Sequence, residues 1–184
     1  MARVTRVKKA RVSKYTRLCD YPGCGHPIEP GDGMKYISPR LPGSPGSVTR
    51  YRCESHPDWH VWEYSSSLSA RVAEITHDGF NAIMLMDEDT AESTPSDLAD
   101  RIRDLASEKR DSAENVKSGF GHQTQLSEAL KQQADDLGVW ADEFDLIDVL
   151  EGKPDEEDRD EEAIEEWLEN LRNDLRDALE RSPL

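Results

Sequence analysis

The sequence predicts an α+β chain that is mostly α: a small β-containing N-terminal third, then an acidic helical remainder. Three observations predict it. Residues 19–58 are rich in Gly, Pro and turn dipeptides and hold two β-prone runs, Met34–Ser38 and Ser47–Arg52. From residue 55 onward, apolar residues recur at intervals of three and four. Charge is divided: residues 1–60 carry 11 basic and 5 acidic side chains, residues 61–184 carry 12 and 34. The chain has 184 residues and a formal net charge of −16. Leu, Ile, Val and Phe supply only 35 residues, near the limit at which a charged chain can bury a core. A large enzyme fold with an extensive apolar core is therefore not expected, and no stretch approaches the length of a membrane-spanning helix.

Residues 1–18 contain Arg3, Arg6, Lys8, Lys9, Arg11, Lys14 and Arg17 and no acid. They read as a flexible basic arm. No apolar segment follows it, so a signal peptide is not expected and a cytoplasmic location is. Between the two β-prone runs, Pro39–Gly46 reads as a hairpin loop. Ser55 with Asp58 resembles a capping box, with Pro57 in the first turn, and starts a predicted helix through Val61, Leu68, Val72 and Ile75. Gly79 is expected to end it, and the run Ile83–Met86 has no assignment.

A helical domain is expected over residues 95–150. Its first helix begins at Thr94-Pro95-Ser96-Asp97, with Thr94 as N-cap, and carries Leu98, Ile102, Leu105 and Val116. Gly119 and Gly121 interrupt the chain. The next helix carries Leu126, Leu130, Ala134, Leu137, Ala141 and Phe144. Residues 151–160 read as an acidic linker. Residues 161–184 hold an amphipathic helix whose seam, Ile164, Leu168, Leu171, Leu175 and Ala178, repeats at 4-3-4-3 over two heptads. That coiled-coil-like seam needs a cover, from the preceding helix or from a second copy of the chain. Trp62, Trp140 and Trp167 are candidate packing anchors.

All three cysteines lie in the N-terminal third. Cys19 and Cys24 enclose four residues, Cys53 and His56 enclose two, and 28 residues separate the pairs. Two close pairs joined by a longer loop is the pattern of a structural Zn2+ site, which favours sulfur and imidazole in a tetrahedron. Pro22 and Gly23 supply the tight turn that lets the first pair converge. The second pair falls at the predicted helix start, so its ligands would project from the first turn. His26 and His60 are alternative fourth ligands. His77 and His122 have no Cys or His near them and read as surface or packing residues. Three thiolates and an imidazole would fill the tetrahedron, which favours a structural over a catalytic ion.

The order of knuckle, hairpin and helix-borne ligands resembles a treble-clef zinc finger. The spacing and the run Cys24, Gly25, Ile28, Gly31 are similar to fingers of the poly(ADP-ribose) polymerase type, a family that senses DNA breaks. The second pair here is Cys then His. The resemblance covers residues 15–75 and implies a zinc-stapled fold, with the finger over residues 19–78. Nucleases that share this fold need an Asn and two further His after the hairpin, and no Asn occurs before Asn81. A phosphate-binding Gly-rich loop and a nucleophile elbow are also absent from the sequence. Residues Arg110–Asp145 resemble segments of uncharacterised tailed-phage proteins, which implies no activity.

A basic arm attracts polyphosphate by releasing condensed counterions. Arg40, Arg50 and Arg52 would extend it, with Tyr36 and Tyr51 as stacking faces or as packing for the finger. A solvated tail is the plain alternative. The acidic half repels a phosphate backbone and suits a basic protein partner. The expectation is a non-enzymatic zinc-binding regulatory or adaptor protein that contacts nucleic acid through the arm and a protein through its acidic helices. The alternatives are a DNA-mimicking inhibitor and a zinc-stapled structural component of a viral assembly.

Overall fold

Two short antiparallel sheets form where turn residues punctuate the N-terminal third. The computed structural model describes residues 5–7, 16–39, 48–155 and 160–183. Strands β1 (Thr5–Val7), β4 (Met34–Ile37) and β5 (Arg50–Cys53) make a sheet in the order β1-β4-β5. Strands β2 (Arg17–Leu18) and β3 (Pro27–Ile28) pair separately and frame the Cys19–Cys24 turn. The expected antiparallel strand pairing is present, with Tyr36 opposite Tyr51 and Met34 opposite Cys53, while the expected loop Pro39–Gly46 lies, beyond residue 39, outside the described residues. Part of the expected arm is not a tail: Thr5–Val7 adds an edge strand to β4, with Thr5 opposite Tyr36.

The hairpin's two-residue period puts Lys35, Ile37 and Arg52 on its buried face. Lys35 and Arg52 are direct cross-strand partners. Two facing cations in a buried position are destabilising unless each is matched. The chain after β5 matches both. Lys35 donates to the carbonyl of His56 and pairs with Asp58 at 3.0 Å. Arg52 donates to the carbonyls of Pro57 and Asp58 at 3.4 and 3.3 Å and pairs with Glu63. Arg50 donates to the Glu63 carbonyl at 2.6 Å.

These bonds explain a difference from expectation. The helix anticipated from Ser55 does not form there. Residues 54–60 are turn and irregular chain, Val61–Glu63 is a single 3-10 turn, and helix α1 spans Leu68–Leu85. The carbonyls of His56, Pro57, Asp58 and Glu63 face Lys35, Arg50 and Arg52 rather than the next turn of a helix.

The described residues divide into two compact units, one ending at Ala70 and one beginning at Arg71. α1 starts just before that boundary, where the Ser67 hydroxyl accepts from the Ala70 N–H at 3.3 Å. It runs straight through Gly79, which therefore does not end it, and the run Ile83–Met86 covers its last turn and exit. A Cβ at Gly79 would stand 2.9 Å from Leu179 and 3.2 Å from Leu98. The glycine is there to admit neighbouring side chains.

The short helix α2 (Glu88–Ala91) is capped by Asp87, which accepts from the Thr90 N–H. Helix α3 (Thr94–Phe120) starts one residue earlier than expected. Ser93 is its N-cap position, and the Thr94 hydroxyl donates back to the Thr90 carbonyl at 2.7 Å. It ends at Gly121, whose φ of 70° is left-handed. Helix α4 (Gln125–Asp145) is capped by Thr124, and helix α5 (Glu161–Glu180) by Asp160.

The core of this unit joins Val72, Ile75 and Ile83 of α1 to Leu98, Ile102 and Leu105 of α3, Leu137, Trp140 and Phe144 of α4, and the α5 seam. Leu168, Leu171, Leu175 and Ala178 are all buried. The Trp140 indole donates to the Ala178 carbonyl at 2.8 Å, and the Trp167 indole to Val149 at 3.1 Å. Both tryptophans act as anchors, while Trp62 stacks on His60 in the first unit. The seam is covered inside one chain, so a second copy is not needed to hide it. Among the described residues, no helix is long and apolar enough to cross a membrane.

Candidate metal centre

Ligand atoms of Cys19, Cys24, Cys53 and His56 all lie within 4.8 Å of one another. A tetrahedron with metal–sulfur bonds of about 2.3 Å has edges of about 3.8 Å, so small adjustments close the shell. The cluster can hold a metal ion. Cys19 leaves β2 and Cys24 closes the turn, where the Cys24 N–H donates to the Tyr21 carbonyl at 3.0 Å. Gly23, with φ of 76°, makes that turn affordable for the backbone. Cys53 ends β5, and the His56 N–H donates to its carbonyl at 3.2 Å. The second pair therefore sits on a strand end and a turn, rather than on a helix.

The three sulfurs are close enough to shift one another's acidity. Burial pushes the Cys19 thiol up, but backbone N–H groups of Cys53 and Tyr21 and the neighbouring thiols outweigh it, and its pKa is lowered. The Cys53 N–H reaches the Cys19 sulfur at 3.4 Å. Cys53 is pushed up to about 12, by burial and then by the Cys19 and Cys24 sulfurs. Three thiolates cannot share this space unless a positive ion joins them.

Around the ligands lies a supporting layer that sequence reasoning missed. Tyr21 stacks on the His56 ring, with centroids 4.2 Å apart and planes 9° apart, which fixes the imidazole. The Arg52 guanidinium lies 5.1 Å from the Tyr21 ring centre and 4.7 Å from that of Trp59. Asp20, inside the first cysteine pair, accepts from Arg50 at 2.6 Å, Arg52 at 3.3 Å and the Trp59 indole at 3.4 Å. An acid within the C-x4-C turn and two alternating arginines were the available signals. The chain matches no family model, no curated protein and no solved structure.

The four-ligand cluster does not include the alternative ligands, although His26 lines the same cleft as Cys24, Cys53 and His56. His26 is exposed, and His60 stacks on Trp62. His77 contacts Asn81 at 3.1 Å, and His122 the Phe120 carbonyl at 2.9 Å. A cleft of about 490 Å³ opens beside Cys24, Cys53 and His56.

Of the candidate nucleic-acid residues, Arg3, Lys8, Lys9, Arg11 and Lys14 lie outside the described residues, as does Arg40. Arg6 pairs with Asp58 at 2.6 Å, and that neighbour, with Lys35, holds the Asp58 carboxyl below the usual range. Arg17 lies 5.1 Å over Tyr51. Arg50 and Arg52 do not extend a basic patch, because both are bonded inward to Asp20 and Glu63. Tyr36 and Tyr51 are half-buried and meet at 6.5 Å, more packing than platform.

Proposed function

We propose that this chain is a non-enzymatic zinc-binding adaptor: a finger stapled by Cys19, Cys24, Cys53 and His56, joined to an acidic helical unit that recruits a basic protein. The convergence of four soft and borderline donors carries the reading. Sulfur and imidazole in that ratio favour zinc, and the closed set leaves no position for a reacting water. The finger is treble-clef-like in its knuckle and hairpin, with the helix of that fold starting late, at Leu68. Three free cysteines acting as ligands suit a reducing compartment such as the cytoplasm. Arg3, Lys8, Lys9, Arg11, Lys14 and Arg17 supply the nucleic-acid contact.

The protein-binding half is supported by a cleft of about 370 Å³ between the end of α4, the turn after it and α5. Leu146 and Ile147 give it apolar surface, and Asp148, Glu151, Asp174 and Asp177 give it charge. That combination suits a basic segment with an apolar anchor. A second reading, a phosphate mimic that captures a DNA-binding protein, draws on the row Glu161, Glu162, Glu165, Glu166 and Glu169 along α5.

Fluorescence anisotropy of a labelled DNA duplex titrated with the intact, zinc-loaded protein tests the proposal. The adaptor binds the duplex with a steep salt dependence that falls when the arm cations are changed to Ala. Absence of binding at low salt refutes the nucleic-acid half and leaves the mimic. Elemental analysis finding no zinc per chain refutes the finger.

A further inference from the structure

The α3–α4 hairpin is covered along only half its length. Toward the core, Leu98, Ile102, Leu105 and Ala106 of α3 face Leu137, Trp140, Ala141 and Phe144 of α4, and all are buried. The same interhelical stripe continues outward through Ala113, Val116 and Phe120 on α3 and through Leu126, Leu130 and Ala134 on α4. There the cover stops. Phe120 is 66% exposed, Leu126 is 58% exposed, and Val116 and Leu130 are only half-buried. Of residues 107–134, only Ala113, Ser127 and Ala134 are buried. Two helices alone cannot shut an apolar seam, because each covers the other from one side.

Local charge indicates what completes it. Residues 107–134 hold four acids, Glu108, Asp111, Glu114 and Glu128, and four bases, Lys109, Arg110, Lys117 and Lys131. This outer segment is neutral in a chain of net charge −16. It is a stretch where identical chains can meet without the repulsion that the rest of the helical unit imposes, and a strongly charged partner would gain no attraction from it.

We propose that the outer half of the α3–α4 hairpin is a self-association surface, on which two copies pack tip against tip as a four-helix bundle closed over Val116, Phe120, Leu126 and Leu130. Residues 107–120 span about 21 Å at 1.5 Å per residue. Two helices about 10 Å apart give a face of roughly 400 Å² per copy. The pair therefore buries less than a standard interface of about 1,600 Å², and the dimer is weak, with Kd in the micromolar range.

The test is the mass of the intact zinc-loaded protein by sedimentation equilibrium over a series of concentrations. The wild type moves from monomer to dimer as concentration rises, whereas Phe120→Glu and Leu126→Glu stay monomeric with unchanged helical circular dichroism. Met84→Glu, a comparably exposed change elsewhere, leaves the dimer in place. Amide exchange supplies a second readout, with protection of residues 113–130 rising with concentration in the wild type. A wild type that stays monomeric up to about 100 μM overturns the proposal, since a micromolar Kd requires dimer there. A dimer that survives both tip substitutions also overturns it. A monomer whose residues 113–130 are protected independently of concentration overturns it in favour of cover from within the chain.

Discussion

Replacing Arg52 with Ala should lower zinc affinity even though Arg52 touches no metal. The side chain is 1% exposed and bonds to Asp20, Glu63 and the carbonyls of Pro57 and Asp58. Removing one partner of a buried ion pair costs about 3–5 kcal/mol. The lower end applies here. Asp20 keeps Arg50 and the Trp59 indole, and the Asp20 and Glu63 side chains are 24% and 23% exposed. In so small a finger, metal binding and folding are one event, so the loss appears in the apparent metal affinity. About 3 kcal/mol corresponds to a drop of roughly 100-fold. Arg52→Lys, which keeps the charge but loses the fork, should fall between. Competition with a chromophoric chelator at fixed pH measures this directly. An Arg52→Ala protein that holds zinc within about threefold of wild type (about 0.6 kcal/mol) would refute the buried-staple reasoning. Loss of duplex binding with unchanged zinc affinity would return Arg52 to the phosphate-facing role.

Gly79→Ala should destabilise the helical unit by up to about 2 kcal/mol, because overpacking of about 1–3 kcal/mol against Leu179 and Leu98 is only partly offset by a gain of about 1 kcal/mol in helix propensity; urea unfolding followed by circular dichroism checks it. Chelation should unfold the first unit and leave the second, so amide protection is lost over residues 16–64 and retained over 71–180; simultaneous loss in both would contradict two separate units. Asp87 has its carboxyl held low, first by the Thr90 hydroxyl and then by the Thr90 N–H. Its stabilising effect is therefore complete above its unfolded pKa and lost as pH falls through the lower folded value. Asp87→Asn should flatten that part of the acid limb in pH-dependent urea midpoints.

How much was legible in the chain depended on how local the signal was. The two ligand pairs are each defined by a few neighbouring residues, and Cys19, Cys24, Cys53 and His56 do come together. The hairpin and α5 also announced themselves, the first by β-prone runs around a Gly/Pro loop, the second by a repeated apolar spacing. Residues 55–63 were misread because their capping pattern is local, whereas the competing bonds to Lys35, Arg50 and Arg52 come from elsewhere in the chain. Gly79 was misread for the same reason: a helix terminator by composition, it is a contact point for Leu98 and Leu179 by packing. Arg50 and Arg52, which read as phosphate contacts, bond inward instead, because the acid inside the first cysteine pair does not reveal in sequence which distant residues it meets.

The facing pair of Lys35 and Arg52 also sets an order of events during translation. A nascent polypeptide that has emerged from the ribosome only as far as Ser55 carries both positive side chains of the hairpin and all three cysteines, but neither Asp58 nor Glu63. Asp20 is already there to meet Arg52, but Lys35 has no acid partner and the cysteines no imidazole until the next few residues emerge, so closure of the finger is expected to follow them.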